Sequence, residues 1–148
     1  MVFLNWKREA IENLKDYSAK KTSIQNIADE IRELNSKKAS IRSATADGTA
    51  AKGGGSVRED VMLDNIIRAE KLSDNLRDVR RWVSRVDTGL SALDDEERLL
   101  LDRFYINPER GAADTLAFEL SVDIKTVYHR KDRALRKFTV AMYGCVES

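Results

Sequence analysis

The sequence predicts an all-α protein: a long two-helix coiled-coil hairpin followed by a compact three-helix unit. Three observations carry this. Charged residues make up 34% of 148 positions, above the ~25% of an average domain, and proline occurs once. Apolar residues recur at steps of three and four along two long stretches. A segment of small residues, 43–56, separates them. Few breakers and many strong helix formers favour solvated helices over a sheet.

The first stretch, 5–42, places Ile11, Leu14, Tyr17, Ile24, Ile27, Ile31, Leu34 and Ile41 on one stripe. The stripe thins between Leu14 and Ile24, where only Tyr17 and Lys21 fill it, so packing should be weakest there. Segment 43–56 holds four glycines and no large apolar residue, so it reads as a flexible linker. Lys52 precedes Gly53, Gly54 and Gly55, whereas a phosphate-binding loop needs the lysine after its glycines. The second stretch, 57–88, carries Ala69, Leu72, Leu76, Val79, Val83 and Val86, a seam that continues to Leu90 and Leu93. Each helix would be about 50 Å long with a single narrow stripe, and such a stripe needs a partner. An antiparallel hairpin within one chain, with a possible homodimer through it, satisfies that need. So do helices that pair in trans. Gly89 reads as the break that ends the second helix, dividing the chain into 1–89 and 90–148.

In the second part, Asp94, Asp95, Glu96 and Glu97 fill one first turn, where the helix dipole favours acids, and Asp94 with Glu97 forms a capping pair. Leu99, Leu100, Phe104 and Tyr105 give its apolar face; Asn107, Pro108 and Gly111 end it. A short helix follows with Leu116, Ala117 and Leu120 inward. Ser121-Val122-Asp123 makes a tight turn, and Asp123 caps the last helix. There Ile124, Val127, Ala134, Leu135 and Phe138 face inward, while Lys125, His129 and Arg133 fall at four-residue steps on another face with Thr126 and Arg130. This is the anatomy of a helix-turn-helix that presents a basic face to a major groove.

Charge supports it. The net charge is +1, yet 94–122 carries −5 and 123–148 carries +3. One cysteine, Cys145, excludes an internal disulfide, and one histidine, His129, excludes a zinc finger. No apolar run approaches a membrane span, and charges replace the apolar stretch of a signal peptide at the start. The expectation is a soluble cytoplasmic protein with no cofactor or metal, and not an enzyme. Cys145 and His129 lack a third orienting residue for nucleophilic chemistry.

The run Leu93–Tyr105, followed by Leu116–Val122 and Thr126–Arg130, resembles region 4 of primary sigma factors. Ala134-Leu135-Arg136-Lys137-Phe138 and Met142-Tyr143-Gly144 are similar to the phage late-transcription regulators of the RinA/ArpU group, whose plan of charged helical half, small-residue linker and sigma-like end is also similar. Two features depart from that pattern: Ser121 stands where glycine is usual in the turn, and the loop from Ile106 to Ala112 is longer than in sigma factors. The resemblance implies a DNA-binding transcription regulator, an activator of phage or prophage late genes working with host RNA polymerase. Lys125, Thr126, His129 and Arg130 would read double-stranded DNA. Arg133, Arg136 and Lys137 would hold phosphates, and Tyr128 would pack inward or touch a phosphate. The turn Asp94, Asp95, Glu96, Glu97 would touch polymerase. A small terminase subunit binding phage DNA for packaging is the alternative, and a purely structural coiled coil is a second. Residues 90–148 carry an apolar set of their own and are expected to fold, marginally, as a separate fragment.

Overall fold

A computed structural model describes residues 5–46 and 55–147. The chain is all-α over them, with no strand beyond an isolated bridge between Asn5 and Glu147. Helix α1 spans Trp6–Ala46, α2 Gly55–Ser91, α3 Asp95–Leu101, α4 Ala112–Leu120 and α5 Ile124–Tyr143. A π-helical turn, Asp102–Ile106, prolongs α3, closed by the Asn107 amide donating to the Asp102 carbonyl at 2.8 Å. Both long helices outrun their predicted ends, 42 and 57. Of the predicted linker, 43–46 and 55–56 are helical, and 47–54 lie outside the described residues.

The chain divides into two compact units: Met1–Lys20 with Arg81–Ser148, and Lys21–Arg80. This division falls after Lys20 and Arg80, whereas the sequence places a boundary between 89 and 90. The cause is the core of the first unit, which joins Ala10 and Leu14 of α1 and Val86 of α2 to Leu93, Leu101, Ala134, Leu135 and Phe138. Around it the Trp6 and Tyr143 rings lie 4.7 Å apart, and Asn13 donates to the Tyr143 hydroxyl. The Tyr17 hydroxyl donates to Asp87; burial, reinforced by that carboxylate, pushes its pKa up to about 12. Lys20 sits 4.0 Å from the centre of the Trp82 ring. A second cluster, Leu100, Leu116 and Val127, ties α3, α4 and α5 together.

Gly89 does not break α2, which continues to Ser91. Its function is spacing. A Cβ on Gly89 would lie 2.9 Å from Cε2 of Phe138 and 2.8 Å from Sδ of Met142, so the missing side chain lets α5 approach α2. Phe138 is fully buried among the residues of the first core cluster. Gly89→Val is expected to destabilise by about 1–3 kcal/mol through overpacking, read as a lower urea midpoint. An unchanged midpoint would mean that α5 does not approach α2 this closely.

In the unit Lys21–Arg80, Ile27, Ile31, Ile66, Ala69 and Leu72 are half-buried, and Ile31 and Leu34 of α1 line a cleft with Ile66 and Ala69 of α2. Arg68 pairs with Glu30. Only Leu34 is buried among the described side chains of this unit. Two helices cannot enclose a core, so one stripe against another leaves both partly wet. Val57, Val61, Leu63 and Ile67 remain exposed on α2.

Candidate nucleic-acid interface

The site is built on α4, a three-residue turn and α5. Gly111 enters α4 with φ 71°, and Ser121 leaves it with φ 55°. That left-handed conformation is normally given to glycine because a Cβ crowds the backbone there. Ser121 adopts it while the Val122 amide donates to the Ala117 carbonyl at 3.0 Å, satisfying the helix end. Asp123 then starts α5: its Oδ1 accepts from the Thr126 amide at 2.7 Å. α5 is anchored by buried Val127, Ala134, Leu135, Phe138 and Thr139. The Thr139 hydroxyl donates to the Leu135 carbonyl at 2.7 Å.

Lys125, His129, Arg133 and Arg136 are exposed, and Thr126 is half-buried. At 3.6 residues per turn those four exposed side chains fall within an arc of about 80°. Ile124 departs from expectation. It is 44% exposed, because the Leu100–Leu116–Val127 cluster closes over Leu120 and Val122 instead. Tyr128 is half-exposed too, its ring 5.8 Å from that of Phe104.

Two predicted DNA contacts are already engaged. Nη1 of Arg130 donates to Oε1 of Glu96 at 2.6 Å, and Nζ of Lys137 donates to Oε1 of Glu97 at 3.1 Å. Asp94, Glu96, Glu97, Leu100, Arg130, Arg133 and Lys137 line a cleft of about 300 Å³. Its acidic wall carries the cap of α3. The Glu97 amide donates to Asp94 Oδ1 at 2.8 Å, and the Asp94 amide donates to Glu97 Oε1 at 3.0 Å. Hydrogen bonding by the Glu97 backbone is the main cause holding the Asp94 carboxyl below its ordinary pKa. So the acids expected to face polymerase are divided: Glu96 and Glu97 turn to α5, while Asp95 is fully exposed and pairs with Arg98.

Lys131 was missed by the sequence reading. Its Nζ lies 5.4, 5.8 and 5.6 Å from the ring centres of Phe104, Tyr105 and Tyr128, and 2.9 Å from Asp132. Burial disfavours the ammonium, but hydrogen bonds to Asp132 and Tyr105 outweigh it, and the net shift of the Lys131 pKa is upward. The residue is a charged tether between α5 and the π-turn. Tyr128, three positions before it, and the adjacent Phe104-Tyr105 pair were the available signals.

Asp123 supplies a pH prediction. Its hydrogen bonds with Thr126, helped by the charge of His129, hold its carboxyl below the ordinary value. A depressed carboxyl stabilises the fold at pH above its unfolded value, near ~3.9, and that contribution is lost as pH falls through the lower folded value. Asp123→Asn is therefore expected to narrow its stability deficit relative to wild type as pH drops below about 4. Thermal melts across pH check this; a constant gap would contradict it.

Among the described residues no group of three or more His, Cys, Asp or Glu is arranged to hold a metal ion. No helix among them is long and apolar enough to cross a membrane. Comparisons with protein-family models, curated proteins and solved structures found no match to this chain.

Proposed function

We propose that the chain is a sequence-reading DNA-binding regulator in which α4, the Ser121–Asp123 turn and α5 act as a helix-turn-helix. One observation carries the reading: Lys125, His129, Arg133 and Arg136 form an exposed row on a helix whose opposite face is locked into the core. Three cations and an imidazole presented along about 16 Å of helix can meet successive phosphates and base edges of one groove. Lys125, Thr126 and His129 lie nearest the start of α5, the end that meets bases in this motif. Arg133 and Arg136 hold phosphates.

The resemblance to sigma region 4 and to the RinA/ArpU group extends the proposal to late-gene activation with host RNA polymerase. Asp95, exposed on the acidic turn, is the member of Asp94–Glu97 best placed for that contact. α1 and α2 serve as a coiled-coil hairpin. The exposed apolar side chains Val57, Val61, Leu63 and Ile67 support a homodimer through it, since burying them against a partner removes apolar area from water.

The test is selection of bound duplexes from a random pool by the full chain. One enriched sequence, bound at least about a thousandfold more tightly than a scrambled duplex, is expected. No enrichment would remove the reading.

A further inference from the structure

Of the two α5 cations paired with carboxylates of α3, Arg130 is held at the shorter distance. Glu96 takes its Nη1 at 2.6 Å while the Arg130 and Glu96 side chains stay 41% and 40% exposed. The pair is accessible, and the backbone of its acidic member lies in a capped first turn. Glu96 sits in a turn closed by the reciprocal Asp94–Glu97 hydrogen bonds, and Leu100, one turn further along α3, packs with Val127 of α5. A guanidinium carries five N–H donors in a planar fork. One carboxylate oxygen at Nη1 restrains that end of the guanidinium and leaves the Nε and Nη2 edge, whose parallel N–H groups match O6 and N7 of guanine.

Resting on the DNA reading proposed above, we infer that Glu96 is a positioning residue: it holds Arg130 by Nη1 so that the opposite edge of the guanidinium is presented to a guanine. A free arginine loses much rotamer freedom on contact, and a residue already held in place loses less. The pairing of Lys137 with Glu97 is a single ammonium contact and confers no such orientation. Glu96 belongs to neither half of the Asp94–Glu97 cap, so its replacement leaves the start of α3 intact.

The contrary reading is that Glu96 merely competes with DNA for Arg130. The two differ in sign. The experiment uses the full-length chain, the duplex enriched from a random pool, and copies of that duplex with each guanine in turn replaced by 7-deazaguanine, which lacks the N7 acceptor. Wild type is expected to lose on the order of tenfold in affinity at one guanine. Glu96→Ala should bind the parent duplex more weakly and lose that sensitivity, as should Arg130→Ala. Glu96→Gln, whose amide oxygen can still accept from Nη1, should keep most of it. Circular dichroism should show all three folded. If Glu96→Ala and Glu96→Gln both bind the parent duplex as tightly as wild type or more tightly, with the 7-deazaguanine loss intact, the inference is overturned and Glu96 is a competitor. If wild type enriches no sequence, the DNA reading itself fails.

Discussion

Phe138→Ala is expected to destabilise the protein by about 3–5 kcal/mol, the range for removing a fully buried aromatic ring. Phe138 has no exposed surface and belongs to a cluster that includes Ala10, Leu14 and Val86 as well as Leu93 and Leu135. With total stabilities of about 5–15 kcal/mol for a domain, that loss takes much of the margin. A urea denaturation series measures it, and a loss under about 1 kcal/mol would show that the ring is not enclosed. The same cluster decides the fate of a 90–148 fragment. It would keep Leu93, Leu101, Leu135 and Phe138 but lose Ala10, Leu14 and Val86. We expect it to lack fixed tertiary structure, seen as poorly dispersed amide resonances, whereas a well-dispersed spectrum would contradict the shared core.

Duplex affinity should be steeply salt-dependent. If about four to six phosphates are neutralised, log affinity falls with log salt at a slope of roughly −4 to −5. Raising monovalent salt from about 50 to about 200 mM should then weaken binding by several hundredfold. Arg136→Ala should reduce the slope by about one and weaken all sequences alike, because Arg136 is exposed on α5. Lys137→Ala should reduce it less, since Lys137 must first leave Glu97. Fluorescence anisotropy on labelled duplexes over a salt series checks both, and a slope near zero would rule out phosphate-led binding.

What could be read from the sequence was mostly local. The caps at Asp94 and Asp123 depend on residues three positions away, and both occur as expected. The buried stripe of α5 follows from helical period alone, except at Ile124, where the stripe runs past its partners. The thin stretch between Leu14 and Ile24 coincides with the division at Lys20. Long-range features were hidden. Gly89 looks like a helix breaker until Phe138, 49 positions later, is seen against it. Arg130 and Lys137 look like free cations until α3 brings Glu96 and Glu97 to them. Leu14 fits the stripe of the first stretch, and nothing in the local spacing reveals that Leu14 and Ala10 complete the core around α5.

The proposed DNA-binding surface is α4, the Ser121–Asp123 turn and α5. The most direct measurement is a titration of the enriched duplex into isotope-labelled full-length protein, following backbone amide resonances residue by residue. Shifts are expected to concentrate between Ser121 and Lys137, with the largest at Lys125, His129, Arg130 and Arg133, while residues 21–80 hardly move. Shifts centred on α1 or α2 within 21–80, or none along α5 at saturating duplex, would contradict this assignment.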